Sequence, residues 1–431
     1  MVTRCLGVNE NGHLTIGGAD AVSLAEHFGT PLYVFDESTI RGHCRKFKES
    51  LEEFYDGKGG VAYAGKAFCC LEMYRILKEE GMMADVTSVG EIYTAIKAGF
   101  PPKKIFFHGN NKTWDEIVYA LKNGVGRFVA DNIEEINRIN KIAGELGVRA
   151  NILLRIKPGV DAHTHDFIKT GQIDSKFGFG LETGEAIAAA KVTAASENLN
   201  LVGIHCHIGS QIFETEPFCL AAQIMIGFVA EIKKELGVEI SELNLGGGFG
   251  IRYKETDTPK DYKTFMREVS GVLHSTCEEL GVQLPKVYLE PGRSIVAPAG
   301  HTLYTVGSVK EIPNIRNYVS VDGGLGDNPR YALYQAPYEV LVANKADKDR
   351  DYVATIAGRY CESGDLIQEN ANIQKPEAGD IMAVLCTGAY NYSMASNYNR
   401  VPRPAAVMVK DGQARIIIDR ESYEDLIKND R

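Results

Sequence analysis

Residues 61–67, VAYAGKA, begin a series of short apolar segments that decides the fold. The next are MADVTS from Met83, KIFFHG from Lys104, GRFVAD from Gly126 and ANILLRI from Ala150. LVGIHCH from Leu201, ELNLGGG from Glu242 and KVYLEPG from Lys286 complete it. Each is a β-branched or apolar run of strand length. Between them lie stretches of helical period, such as LEMYRILKEEG from Leu71, NIEEINRINKIAGELG from Asn132 and EPFCLAAQIMIGFVAEIKKELG from Glu216. Several end in Gly, the usual C-terminal stop. Eight strand–helix units in roughly 230 residues predict a (β/α)8 TIM barrel. A doubly wound open sheet is the alternative, but no GxGxxG occupies the first strand–helix turn.

The flanks read differently. TPLYVFDE from Thr30 is a strand ahead of the barrel. Beyond Arg293 helical patterns become scarce. Short alternating runs replace them: HTLYTVGSVKEI from His301, NYVSVDGG from Asn317, YEVLVAN from Tyr338, DIMAVLC from Asp380 and AAVMVKDGQARIIID from Ala405. The last contains a DG hairpin signal. The fold class is therefore α/β plus β: a TIM barrel over residues 37–293, and a β-rich, sandwich- or barrel-like domain built from residues 1–36 and 294–431.

Composition narrows the function. The chain has 431 residues, 44% hydrophobic and 24% charged, which is ordinary globular usage and excludes a disordered or collagen-like chain. The net charge is −10, with no block of Lys and Arg, so nucleic acid is not an expected partner. No run reaches the ~18 apolar residues that a membrane span needs. The start of the chain has no apolar core of signal-peptide length. The nine cysteines are odd in number and scattered without a CxxC pair, which disfavours a disulfide scaffold or structural zinc and suits a reducing cytoplasm. Gly is 44 of 431, above the usual ~7%, and the excess belongs in turns or where backbone approaches a ligand.

Polar residues fall at the C-terminal ends of the barrel strands, where TIM barrels build their active sites. In order they are Lys66, Asp85, His108, Asp131, Arg155, His207, the glycines Gly246, Gly247 and Gly248, and Glu290. One of them could merely cap a strand; eight of eight strands argues for a shared site. Lys66, between apolar neighbours, is expected to be desolvated, with a lowered pKa and an amine able to form a Schiff base. The glycine run offers successive backbone N–H groups, a nest for phosphate or simply a tight turn. HIGSQ from His207 adds the Ser210 hydroxyl, and EPGR joins Glu290 to Arg293 through Gly292.

A Schiff-base lysine with a phosphate nest suggests pyridoxal 5'-phosphate or a sugar-phosphate aldolase. Glu290 favours the former, because the pyridine nitrogen needs an anion beside it to stay protonated. His207 could stack on a flat ring. His205 and His207 share a strand face and could ligate a metal, but no third ligand has an obvious spacing, so no metal is expected. In the β-rich part, CESGD from Cys361 joins a thiol to Glu362 and Asp365, DNPRYALY from Asp327 sets Arg330 and Tyr334 four apart, and GAYNYSMASNYN from Gly388 carries Tyr390.

These motifs, with PGVDAHTHDFIKTGQIDSKFG from Pro158 and the closing NRVPRP, resemble the diaminopimelate decarboxylases, of the fold-type-III pyridoxal-phosphate family shared with ornithine decarboxylase and alanine racemase. The resemblance runs from TPLYVFDE to RPAAVMV in family order. One position departs: Lys157 stands where Asn is expected. The resemblance implies that Lys66 bonds the cofactor and that His207 stacks on its ring. It implies that Glu290 pairs with the pyridine nitrogen and that Arg155 lies near the ring hydroxyl. Ser210, Gly246, Gly247, Gly248, Gly292, Arg293 and Tyr390 would surround the phosphate, and Asp85 is counted with these cofactor contacts. Lys66, Cys361 and His207 form the catalytic set, with Cys361 as proton donor to the product carbon. Glu362 would take the substrate's distal ammonium, while Arg293, Arg330 and Tyr334, with Tyr390 nearby, would take its distal carboxylate. It further implies a homodimer in which Cys361 and Glu362 serve the partner's barrel.

An anion beside two cations suits an ammonium and a carboxylate on one carbon, as in meso-2,6-diaminopimelate. The expected reaction is its decarboxylation to L-lysine and CO2, the last step of lysine biosynthesis. The rivals are a decarboxylase of ornithine or arginine, an alanine racemase, and a non-catalytic pyridoxal-phosphate-binding regulator.

Overall fold

The computed structural model describes residues 2–160 and 175–431, so most of the motif 158–178 lies outside the described residues. The chain divides into two compact units. One comprises His43–Gly250 and Pro259–Gly292; the other comprises Met1–Gly42, Ile251–Thr258 and Arg293–Arg431. The short segment Ile251–Thr258, inside the expected barrel range, thus belongs with the terminal unit.

The first unit is a closed barrel of eight parallel strands. We label them β1 (Gly59–Ala64), β2 (Met83–Val86), β3 (Ile105–Phe107), β4 (Arg127–Ala130), β5 (Ala150–Lys157), β6 (Leu199–His205), β7 (Glu242–Asn244) and β8 (Lys286–Leu289). Neighbours in sequence pair in space, and β8 returns to β1 with Val287, Tyr288 and Leu289 opposite Gly59, Gly60 and Val61. Helices cover one face of these strands and barrel contents the other, so the strands read as nearly continuous apolar runs. The closure needs Gly59: a Cβ there would lie 1.8 Å from the Val287 carbonyl oxygen.

The intervening helices carry their own start and stop chemistry. Thr113 and Glu116 form a capping box ahead of Trp114–Lys122. Ser88, Asn132 and Asp261 cap Val89–Lys97, Ile133–Leu146 and Tyr262–Leu280 through side-chain oxygens. Gly147, Gly237 and Gly281 end three helices in the left-handed conformation.

The barrel is filled rather than hollow. Ala62, Phe106, Val129, Leu153 and Tyr288 form a buried cluster, with Met83 and Val202 packed on it. At the N-terminal ends of β4 and β7, Arg127 forks onto Glu242 at 2.7 and 2.6 Å. The Arg127 guanidinium also covers the Phe106 and Tyr288 rings, at 5.1 and 5.5 Å. An ion pair thus floors the barrel, at the end opposite the polar strand termini.

In the second unit Leu32–Asp36 runs antiparallel to Gly300–Ile312 and parallel to Ala405–Lys410. Both ends of the chain therefore share one sheet. Ala405–Lys410 and Gln413–Ile418 form the hairpin expected from VKDGQ, with Asp411 at φ 50° and Gly412 at φ 76°. Two positive φ values in sequence are what a type I′ turn requires. Tyr352–Ala357 and Leu366–Ile373 are strands that the alternation did not single out, as is the small sheet of Leu6–Val8, Leu14–Ile16 and Ala19–Asp20.

Candidate active site

The C-terminal ends of the barrel strands converge on Glu290, which follows β8 and is 6% exposed. His108 Nε2 lies 2.8 Å from its Oε1 and His205 Nε2 lies 3.0 Å from its Oε2. Asn244 Nδ2 donates to Oε1 at 2.7 Å. A carboxylate can only accept, so both imidazoles present Nε2–H to it. The rings meet edge to face, 4.8 Å apart. Burial by itself raises the Glu290 pKa, but His108 and His205 outweigh it and hold the group well below the carboxylate range. Burial also pushes His205 down to about 4, against the opposing pull of Glu290. Glu290 is thus an anion held by three hydrogen-bond donors, two imidazoles and an amide.

Asp85, on β2, has the opposite environment. Burial pushes its carboxyl up to about 6, with His108 opposing and the Glu290 charge adding. Its Oδ1 lies 3.6 Å from His108 Nε2 and has no hydrogen-bond partner among the described residues. Two carboxyls beside one imidazole are therefore driven apart in acidity, an arrangement typical of working sites.

His108, His205 and Glu290 also place ligand-type atoms within 4.8 Å of one another. The sequence pointed instead to His205 with His207, and His207 is not in this group. The separations of 2.8 and 3.0 Å from the carboxylate are hydrogen-bond lengths, so a proton occupies each line of approach.

The loops after β6, β7 and β8 are laced together. Asn244 Oδ1 accepts the Gly246 N–H at 2.9 Å, and Gly246 O accepts the Glu290 N–H at 2.7 Å. His207 Nδ1 accepts the Gly247 N–H at 3.2 Å. The Ser210 loop is zipped to the glycine run where Ile212 N–H meets Gly248 O and Gly250 N–H meets Ile212 O, both at 2.9 Å. A Cβ on Gly246 would lie 2.5 Å from Cys206 O, and one on Gly247 would lie 2.1 Å from Glu290 O. The glycines are thus required first by the approach of loop to loop. Pro291 ties the EPG turn to β1 by accepting the Ala64 N–H at 3.1 Å, and a Cβ on Gly292 would lie 2.9 Å from Ala64 Cβ.

His207 is half-buried, and burial followed by the charges of Lys66 and Arg155 pushes it well below the usual imidazole value. Its Nδ1, an acceptor, fits that neutral state. Arg155 stands 3.9 Å from Asp131 and lays its guanidinium on Phe177 at 4.2 Å. Lys66 corrects one expectation. It sits in the helical turn Gly65–Ala67 and is exposed, whereas Gly65 and Ala67 are buried. The turn directs its small neighbours inward, so they do not desolvate the Lys66 side chain.

The second unit gathers its own expected residues. Arg330 begins the short helix Arg330–Tyr334 and is 7% exposed. Its Nη1 donates to the phenol oxygens of Tyr253 and Tyr338, at 3.1 and 3.0 Å. Arg293 Nη1 donates to the same Tyr253 oxygen at 2.7 Å, and its guanidinium covers the Tyr390 ring at 4.8 Å. Tyr390 is held at φ 61°, in the left-handed region. Tyr334 is half-buried, whereas Cys361 and Glu362 are exposed. Asn399 accepts the Cys361 N–H at 3.0 Å, and Tyr398 lies 3.4 Å from Glu362. Asp365 of the same motif is buried and accepts backbone N–H groups of Leu325 and Tyr360, which is a structural task. Sequence reading did not find Asn244, Tyr253, Tyr338 or Asn391. They are ordinary polar residues, and no motif around them marks the arginines, carboxylate and phenols they bind.

Residues 37–297 match the family model described as pyridoxal-dependent decarboxylase, pyridoxal binding domain. The chain is 48% identical to the diaminopimelate decarboxylase of Bacillus subtilis, over 98% of this chain and 96% of that one. The chain belongs to the diaminopimelate decarboxylase family. The Staphylococcus aureus member is 46% identical over 98% of both chains. Among solved structures, diaminopimelate decarboxylase from M. jannaschii in co-complex with L-lysine superposes with a TM-score of 0.92 at 38% identity, covering 100% of this chain and 98% of that one. A lysine/ornithine decarboxylase from Vibrio vulnificus gives 0.75 at 24% identity over 90% of this chain and 97% of that one, a likeness of fold. The barrel of this diaminopimelate decarboxylase family member fits the family's cofactor. Glu290 is a buried anion suited to a protonated ring nitrogen, and Asp85 Oδ1 and His205 Nδ1 are buried polar atoms without protein partners among the described residues.

Proposed function

We propose that this chain decarboxylates meso-2,6-diaminopimelate to L-lysine and CO2 with pyridoxal 5'-phosphate bound at the barrel mouth. The observation that carries the reading is Glu290, an anion kept ionised by His108, His205 and Asn244 where the eight strands end. Bound there, pyridoxal phosphate supplies an electron sink for the pair left by departing CO2.

The chain's own residues do the rest. Lys66 Nζ would be the amine that holds the cofactor through its aldehyde. Glu290 keeps a proton on the ring nitrogen, because losing that proton would leave the buried carboxylate facing a lone pair. His207, neutral and fixed by Gly247, offers a flat face for stacking. Arg155 serves the ring hydroxyl. Ser210, the amides of Gly246, Gly247 and Gly248, and the Gly292–Arg293 turn, with Tyr390, hold the phosphate. Cys361 Sγ gives its proton to the carbon that loses CO2.

Arg330 supports the substrate. It is a buried cation whose partners are phenols, and no carboxylate among the described residues pairs with it. A substrate carboxylate would satisfy it with two parallel hydrogen bonds. Arg293 and Tyr334 share that task, and Glu362 takes the ammonium on the same carbon. A diamine lacking the carboxylate would leave Arg330 unmatched, at a cost of several kcal/mol (~1–3 per unsatisfied group, more when charged).

The functional assembly is a homodimer with shared active sites, in the cytoplasm. None of the nine cysteines forms a disulfide, and no helix among the described residues is long and apolar enough to cross a membrane. The test is incubation of the reconstituted protein with meso-diaminopimelate. CO2 and L-lysine should appear in equal amounts; a loaded protein that releases neither is not this enzyme.

A further inference from the structure

Two buried arginines of the second unit meet on one oxygen. Tyr253 OH receives Arg293 Nη1 at 2.7 Å and Arg330 Nη1 at 3.1 Å, and the Tyr253 side chain is 5% exposed. Tyr338 OH takes Arg330 Nη1 at 3.0 Å and is itself fixed by Asn391 Nδ2, also at 3.0 Å. The two phenol rings meet edge to face at 5.7 Å. Nη1 has two hydrogens, so these two phenols use both of them. The Nε and Nη2 hydrogens along the opposite edge remain, and that edge has the spacing of a carboxylate.

Tyr253 arrives by a purpose-built detour. It lies in Ile251–Thr258, the segment that leaves the barrel sequence to join the second unit. Asp257 closes this segment into a turn by accepting the N–H groups of Tyr253 and Lys254, both at 2.9 Å. Arg252 Nε donates to Asp257 O at 2.9 Å. Ile251 is 2% exposed and anchors the start.

We propose that Tyr253 is a positioning residue for substrate selection: its hydroxyl sets the spacing of Arg293 and Arg330 and turns the Nε–Nη2 edge of Arg330 toward the distal carboxylate. Without it, Arg330 keeps its charge but loses its fixed orientation. The inference rests on the proposed substrate, since it assigns the edge of Arg330 to that substrate's carboxylate.

The test compares L-lysine, which retains the distal carboxylate, with 1,5-diaminopentane, which has the same chain without it. Calorimetry on the loaded wild-type enzyme and on Tyr253→Phe gives their dissociation constants directly. The variant should bind L-lysine about tenfold more weakly and 1,5-diaminopentane unchanged. Its KM for meso-diaminopimelate should rise by a similar factor, with kcat within about threefold of wild type. Equal weakening of both ligands, or of neither, overturns the inference. If Tyr253→Phe fails to fold, Tyr338→Phe removes the second phenol from the same Arg330 nitrogen and must show the same selective loss. Wild-type turnover is measured alongside. Absent lysine release in wild type defeats the proposed function, whereas normal release with an unselective Tyr253→Phe defeats this inference alone.

Discussion

Asn244 donates to Glu290 Oε1 at 2.7 Å while its own Oδ1 accepts the Gly246 N–H at 2.9 Å. One amide thereby locks the anion of the barrel mouth to the glycine turn beside it. His108 and His205 complete the set of donors, so the carboxylate cannot rotate or gain a proton without breaking several contacts.

Asn244→Asp isolates the charge from the geometry. The new carboxylate can still accept the Gly246 N–H, so the turn survives. It would, however, stand within hydrogen-bond reach of Glu290, and like charges at that distance force one of the pair to take a proton. Glu290 would then compete for the proton that it should leave on the ring nitrogen. The expected loss in kcat is on the order of 10²-fold, the scale of removing one preorganised electrostatic group. Steady-state kinetics and thermal melts, run together, should show activity lost with the fold retained.

Much of this site could be read from sequence because barrel geometry converts chain order into position. A polar residue that ends an apolar strand must lie at one rim, so Asp85, Arg155 and Glu290 were legible one by one. Asn244 was not, because the glycine run beside it carries the stronger signal and Asn ends many strands. Tyr253 was illegible for a different reason. Its segment follows a barrel strand yet folds with the other unit, and no composition change marks that crossing. The exposure of Lys66 was misjudged because apolar neighbours in sequence do not cover a side chain that a helical turn points elsewhere. Among the sheet strands, Leu366–Ile373 carries Gln368, Glu369 and Asn370, and that polarity hid its extended form.

Asp85 makes the cofactor-free protein sensitive to pH. Its folded pKa, about 6, lies above the ordinary carboxyl value of 3.8 expected in the unfolded chain, so the folded state holds the proton more tightly. Stability is therefore full below the unfolded value and is lost as pH rises through the folded one. The shift of about two units corresponds to roughly 3 kcal/mol at most. Asp85→Asn removes this titration. Denaturant melts of the cofactor-free variant should match wild type near pH 4 and exceed it by up to ~3 kcal/mol above pH 7. A difference that stays constant across that range would show that Asp85 does not titrate there.

The floor of the barrel should matter for stability and not for chemistry. Arg127 and Glu242 are joined by two bonds, at 2.7 and 2.6 Å, at the strand starts. Arg127→Met leaves Glu242 as an unpaired, mostly buried anion, which should cost about 3 kcal/mol, the lower end for a broken buried pair. Adding Glu242→Leu should recover most of it, because an apolar pair of similar volume needs no counter-charge. Chemical denaturation of the single and double variants measures both numbers, and kcat of the loaded enzymes should stay within about twofold of wild type.

The placement of Lys66 and Cys361 in different compact units makes sharing between subunits directly testable. Lys66→Ala should abolish activity because the cofactor loses its anchoring amine. Cys361→Ala should do so because the product carbon loses its proton donor. If each site takes Lys66 from one subunit and Cys361 from its partner, a mixed dimer of the two variants contains one doubly damaged site and one intact site. Random reassociation of equal amounts makes about half the dimers mixed, so the mixture should regain roughly a quarter of wild-type activity. If both residues instead served the same subunit's site, every site in every dimer would carry one lesion and the mixture would stay dead. Titrating the ratio of the two variants should give a symmetric maximum at equal amounts, and a flat line at background would end the case for a shared site.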